Sequence, residues 1–520
     1  MVAGSPRAGA PMTASTTDAV RAPLRSSSSP MVHALVAFIA LATVAFHLSG
    51  PLGPDVSWLI TVSERILDGG RLYIDILEPN PPMAGYLYMP PVLLARALAL
   101  PPEPLVVLWT VGFGLLTTGY AARLVVEHRR IARPELFWPV ALLLFLSAWG
   151  EDFAQREHFA AMAGLPLVLA LALRASGIRP ARHVWIVAGI AGGFMLAIKP
   201  HFALPILLGA LYVAWQRRSI RPVFAPEMWL AGSLFLAFCA ATLLFYPAFL
   251  SNILPVATAV YIPDRRGLWV LLSIRPAVYF EAILLIALIG FRQHIRMSPL
   301  LGVMFAMSLG FFLSYLAQGK GYTYQILPGV ALIGAFVLVA FSERRDGPAR
   351  PIDAVLPVAA AAILAIMPMI DDVAQWQKRQ PLVDAVRPYG DGLRIANITP
   401  DLTVGSPLSR VVHGELVNSP PSLLMSISAW RLRMERHPDP AWREKIDAFE
   451  AAERLQLRAD LLARPPDIVV SSRDGFDWLE WAASDPDLAA ILARYEQFAT
   501  VWFDGYELVL LRRPGLAPAT

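Results

Sequence analysis

The residues with the clearest chemical potential begin just after the first apolar run. Asp55 opens an amphipathic pattern that reaches Leu67; Gly69-Gly70 stops it, and Tyr73, Asp75 and the pair Pro81-Pro82 follow. Uncommon polar residues then recur as short clusters between apolar runs: Glu151-Asp152-Phe153-Ala154-Gln155-Arg156-Glu157-His158, Lys199-Pro200-His201, Asp264-Arg265-Arg266 with Arg275, and the stretch from Gln318 to Gln325. Carboxylates of this kind can take a proton from an attacking hydroxyl. Cations beside them can stabilise charge that develops on a departing phosphate, most strongly where water is scarce. Arg156, Lys199, His201, Arg275 and Lys320 are the candidates for that second task, Arg offering a bidentate fork and Lys a point charge. The Gly319-Lys320-Gly321 turn lets backbone amides approach an anion, although it lacks the spacing and the Ser/Thr of a nucleotide-binding P-loop.

Each of these residues also has an ordinary structural use. Asp55 suits the cap of the helix that follows it, and Gln155 to His158 suits an ion pair at a helix end. Lys199 and Lys320 suit snorkelling to headgroups, His201 an interfacial histidine, and Arg265 and Arg266 a solvated or lipid-facing position. Trp58, Trp149, Tyr322 and Tyr324 suit an aromatic belt, with sugar stacking as the sharper alternative.

The elements that must position these groups are membrane helices. A chain of 520 residues that is 56% hydrophobic and 16% charged, with a mean hydropathy of +0.52, is too apolar for a soluble protein of this size. Its single cysteine, Cys239, excludes an internal disulfide and disfavours thiolate metal binding. The net charge of +4 does not call for nucleic acid, because Arg is concentrated in short loops where it sets topology.

Residues 1–30, rich in Ser, Ala, Pro and Thr, read as a disordered cytoplasmic tail. Twelve apolar runs follow between Met31 and Ile370, each near the roughly 20 residues a spanning helix needs. If all twelve crossed, the basic loops from His128 onward would lie outside, against the positive-inside rule. The run Met83 to Leu100 contains Pro90-Pro91 and Arg96 and is closed by Pro101-Pro102, so it is expected to lie on the surface. Eleven spans remain. The loops Arg129 to Arg133, Arg174 to Arg182, Arg217 to Arg221, Arg292 to Arg296 and Arg344 to Arg350 then fall in the cytoplasm, and all the polar clusters gather on the outer side. The same parity requires two short spans with an outer turn at Lys199. After Ile370 the composition becomes charged and mixed, which predicts a separate soluble α/β domain over 371–520, with strands at Leu393 to Ile398 and Asp467 to Ser471, helices at Trp442 to Leu462 and Asp477 to Tyr495, and a hairpin turning at Asp504-Gly505.

The order Asp55, Gly69, Gly70, Tyr73, Asp75, Pro81, Pro82 resembles the first outer loop of the C-type glycosyltransferases, the multi-span group that includes protein O-mannosyltransferases and lipid A aminoarabinose transferases. The resemblance implies an α-helical multi-span membrane protein of about 11 transmembrane helices: a transmembrane domain over 31–370 with its first outer loop at 49–104, and the soluble α/β domain, 371–520, on the periplasmic side. It implies a multi-pass protein of the cytoplasmic (inner) membrane that transfers a sugar, with inversion, from a polyprenyl-phosphate donor to an envelope lipid, glycan or protein. Asp55 becomes the expected general base, with Glu157 or Asp152 as the second acid. Asp75, Arg156, His158, Lys199, His201, Arg275, Lys320, Tyr324 and Gln325 become the expected substrate-binding set. This sequence departs from the group at Asn80, where His or Lys is common before the proline pair, and in the Gln-Arg-Glu-His order of the second loop. No cofactor is expected. A divalent cation held by Asp55, Asp75, Asp152 and Glu157 would need two loops to converge, and no ligand spacing announces it. A transporter or flippase of a lipid-linked precursor is the alternative. It would want polar residues along the spans, whereas charge here lies at their ends, apart from Glu281.

Overall fold

The structure, a computed structural model, describes residues 30–128, 131, 133–343, 351–436, 438–473 and 475–518. The expected tail up to residue 29, most of the basic loop 129–133 and the loop 344–350 lie outside the described residues.

Helices α1 (Pro30–Leu48), α2 (Pro54–Leu67), α3 (Met83–Tyr86), α4 (Met89–Leu98), α5 (Pro102–His128), α6 (Phe137–Leu142) and α7 (Arg156–Ala175) form the first half. The second half comprises α8 (Arg182–Ile198), α9 (Ala203–Arg217), α10 (Pro226–Phe245), α11 (Leu254–Val256), α12 (Leu268–Ser273), α13 (Arg275–Gly290), α14 (Arg292–Met297), α15 (Pro299–Gln318), α16 (Leu327–Glu343) and α17 (Pro351–Val386). Apolar runs of this length fold as helices because in hydrocarbon every backbone polar group must be satisfied within the segment. Several start on a proline, which loses nothing at a first turn whose N–H groups have no partner in the helix.

Among the described residues, six helices are long and apolar enough to cross a membrane, and five shorter apolar segments accompany them. Met83 to Leu100 breaks into α3 and α4. The ten residues of α4 rise about 15 Å, half a bilayer core. Arg96 ties α4 to α2 through Asp68 at 2.9 Å. The break at Lys199 is also present, α8 ending there in extended backbone. Two features depart from expectation. The stretch Phe249 to Tyr261, largely outside the twelve apolar runs, is helical with two π turns, and α17 runs sixteen residues past Ile370.

At the centre is α7, almost wholly buried among α5, α8, α9, α15 and α16. Beyond α17 come β1 (Arg394–Ile398), α18 (Gly405–Val411), β2 (Glu415–Leu416), α19 (Leu424–Arg436), α20 (Pro440–Ala463), β3 (Ile468–Arg473), α21 (Trp478–Ala483), α22 (Pro486–Leu492), β4 (Glu496–Phe503) and β5 (Tyr506–Arg512). The sheet order is β2-β1-β3-β5-β4, parallel through β3 and antiparallel beyond it, with the β4–β5 hairpin turning at Asp504-Gly505. Alternate residues build opposite faces. Ile395, Ile468, Val470 and Leu510 pack with Leu382, Val386 and Leu408 of α17 and α18, while Ile398, Val469, Val509 and Leu511 pack with Leu457, Trp478 and Leu488.

Glu453 on α20 gives this unit a pH dependence. Its carboxylate accepts from the Ser426 N–H at 2.8 Å and from the Ser426 hydroxyl, yet burial pushes it up to about 7. The folded chain therefore holds the proton more tightly than the unfolded chain, and the stabilisation is full below about pH 4.5 and lost as pH rises through 7, on the order of 3 kcal/mol. Glu453→Gln should flatten the fall in melting temperature between pH 5 and 8; an unchanged pH profile would remove Glu453 as its source.

Candidate functional site

Asp55 enters the site on the first turn of α2. The cap position is Gly53, and Asp55 makes no capping bond. Instead its Oδ2 accepts from the Gln155 side-chain amide at 2.9 Å, and the Arg156 guanidinium stands 3.8 Å from its Oδ1. Asp55 is 23% exposed and Arg156 only 3%. Among the described residues, Nε and Nη1 of Arg156 have no hydrogen-bond partner. A buried guanidinium with free donors is costly unless something completes it.

The segment that carries Gln155 and Arg156 is held in a strained shape. Gly150 has φ +49° and Ala154 has φ +62°, a conformation that for Ala costs on the order of 1 kcal/mol or more and persists only where the surroundings over-determine it. They do. The Tyr88 hydroxyl donates to the Ala154 carbonyl at 2.6 Å, and the Ala154 N–H donates to His158 Nδ1 at 3.0 Å. His158 Nε2 in turn meets the Phe145 carbonyl at 2.8 Å, and its ring stacks on Trp149.

Two further elements converge here. Lys199, at the end of α8, forms an ion pair with the fully buried Glu157, donates to Gln318 Oε1 at 2.9 Å and lies 5.3 Å over the Tyr324 ring. The Thr323 hydroxyl donates to Asp152 at 2.7 Å. Burial, and then the charge of Glu151, push the Asp152 carboxyl well above the usual range. The start of α2, the 150–155 loop, the turn at Lys199 and the 318–325 stretch thus meet around Asp55, Asp152, Arg156, Glu157, Lys199 and Tyr324.

Glu78 is the acid that the sequence did not single out. It is 2% exposed, and it accepts from the Trp58 indole N–H at 2.5 Å and from the Asn80 backbone N–H at 2.9 Å. Burial raises its carboxyl, opposed first by the charge of Arg156. Asn80, which replaces the usual basic residue before Pro81-Pro82, also donates its side-chain amide to Glu78. That exchange at Asn80 was the available signal.

The remaining candidates lie elsewhere or are occupied. Both ring nitrogens of His158 are engaged within the protein. Asp75 forms an exposed pair with Arg71 at 2.8 Å, which pushes its carboxyl down to about 2. Arg275 pairs with Asp371 at 2.8 Å, both well exposed. His201 is exposed on the turn after Lys199. Lys320 donates to the carbonyls of Tyr261 and Asp264 and covers the Tyr261 ring, burial pushing it down to about 8. Gln325 is buried, with no partner for Oε1 among the described residues. No group of three or more His, Cys, Asp or Glu among the described residues is placed to hold a metal ion.

No protein-family model matches the chain, and no curated protein matches it. Solved structures do. ArnT from Cupriavidus metallidurans bound to undecaprenyl phosphate superposes with a TM-score of 0.54 at 14% identity, over 94% of this chain and 99% of that one. The same protein in the apo state gives 0.54 and 14% over 95% and 100%. The chain therefore carries the fold of ArnT over nearly its whole length.

Proposed function

We propose that the protein is a membrane glycosyltransferase that moves a sugar from a polyprenyl-phosphate carrier to a cell-envelope acceptor at the outer face of the cytoplasmic membrane. The observation that carries this reading is the pairing of the Asp55 carboxylate with a buried Arg156 whose Nε and Nη1 have no hydrogen-bond partner among the described residues. ArnT, which shares the fold along nearly its whole length, was solved with undecaprenyl phosphate. In the proposed reaction Asp55 takes the proton of the acceptor hydroxyl as its oxygen bonds to the anomeric carbon. The bond from that carbon to the phosphate oxygen breaks, polyprenyl phosphate leaves, and the configuration inverts. Arg156 donates to the phosphate as its charge grows. Lys199, neutralised in part by Glu157, holds the third loop to the second. The same reading places the N-terminus in the cytoplasm and the sheet unit in the periplasm.

The test is release of free polyprenyl phosphate by the purified protein, offered a panel of polyprenyl-phosphate sugars with envelope extract. Release identifies the donor. No release with any donor, together with passage of sugar-lipid across liposomes holding the protein, would replace the transferase with a transporter.

A further inference from the structure

The loop that carries Gln155 and Arg156 is gripped from two sides, and one grip belongs to α17, the helix that leads into the sheet unit. Arg379 of α17 forms an ion pair with Glu151 at 2.5 Å, the two side chains 12% and 28% exposed. Gly150 packs so closely on the same helix that a Cβ there would stand 2.2 Å from the Pro368 carbonyl oxygen. On the other side the Glu151 carbonyl oxygen would lie 2.1 Å from a Cβ at Gly53, two residues before Asp55. The loop therefore fills the gap between α17 and the start of α2 with no slack at either glycine. Asp372 and Asp152 are the other charges that act with Glu151, and among the described residues Arg379 is the cation paired with it.

We propose that Arg379 is a positioning residue: through Glu151 it presses the 150–155 loop against the start of α2 and so sets Gln155 and Arg156 at their distances from Asp55. Among the described residues Arg379 has its hydrogen bond and ion pair with Glu151 and none with these three. It acts from the segment of α17 beyond Ile370, which makes the junction with the C-terminal sheet unit part of the catalytic framework. Losing one partner of a partly buried pair leaves the other charge uncompensated, and the loop, strained at Ala154, is then free to relax. Displacement of reacting groups by about 1 Å costs on the order of a hundredfold in rate.

The kinetic arm of the test rests on the transferase reading, and a second arm does not. Arg379→Ala, Arg379→Lys, Glu151→Gln and the reversed pair Arg379→Glu with Glu151→Arg are purified as full chains, and their melting temperatures recorded. Amide hydrogen exchange over 150–155 and polyprenyl phosphate release with the donor panel are then measured. Arg379→Ala and Glu151→Gln should each speed exchange across the loop and lower kcat by about tenfold to a hundredfold, with donor KM changed by no more than about threefold. The reversed pair should recover a large part of both. Unchanged exchange and rate in folded Arg379→Ala would overturn the proposal, as would a reversed pair no better than either single variant. A wild type that releases nothing defeats the transferase reading alone, because the exchange arm still decides whether Arg379 positions the loop.

Discussion

Asp55→Asn should lower the rate of polyprenyl phosphate release by about 10² to 10⁴, the range a positioned general base contributes, while leaving donor KM and melting temperature close to those of the wild type. The substitution is nearly isosteric. The carbonyl oxygen of the new side-chain amide can still accept from the Gln155 amide, so the 2.9 Å contact that ties the first loop to the second survives. What disappears is the lone pair that receives the acceptor proton and the negative charge 3.8 Å from Arg156. A fall in kcat with KM preserved is the signature of an interaction made in the transition state. Equal release by the two proteins would reduce Asp55 to a structural partner of Gln155 and would move the proton to another acid, with Asp152 and Glu157 the next to substitute.

Lys199→Met should produce the largest loss of stability. It strands Glu157, which is fully buried on the central helix α7, without its cation, and it frees Gln318 and Tyr324 from the contacts that hold the fifth loop. Breaking a buried pair from one side costs about 3–5 kcal/mol, enough to lower the melting temperature by several degrees. The double variant Lys199→Met with Glu157→Leu separates architecture from chemistry, because an apolar replacement of both partners is often neutral. It should regain most of the melting temperature and most of the polyprenyl phosphate release, whereas a stable double variant that releases none would give the pair a part in the chemistry. A double variant that is both stable and active would make the pair a pure staple between the second and third loops.

Much of the architecture is legible in the sequence because its signals are local. Hydropathy, the proline pair in α4 and the break at Lys199 each act through nearest-neighbour physics: backbone satisfaction within an apolar segment and a missing donor. Strands β1 and β3 announce themselves in the same way as short buried runs, and the β4–β5 hairpin through Asp504-Gly505. Such signals do not say how far α17 continues, because a helix that leaves the membrane and enters a second packed unit shows no break in propensity where its surroundings change. They also left unassigned the helical turns at Phe249 to Tyr261, the second of which packs against α19 and α20.

The candidate site divides along the same line. Residue type and spacing singled out Asp55, Asp152, Arg156, Glu157 and Lys199 as polar groups clustered between apolar runs, since ionisable groups at membrane depth are too costly to be scattered. Only the tertiary structure decided which of them meet. It set Arg156 against Asp55, matched Lys199 to Glu157, turned His158 inward to hold Ala154, and left Asp75 and Arg275 on exposed pairs of their own. It also brought in Glu78 and Arg379, whose roles come from Arg156 and Glu151, both distant in the chain. A buried charge is defined by what surrounds it once water is gone, and that information resides in the packing of distant loops, which no local run of residues contains.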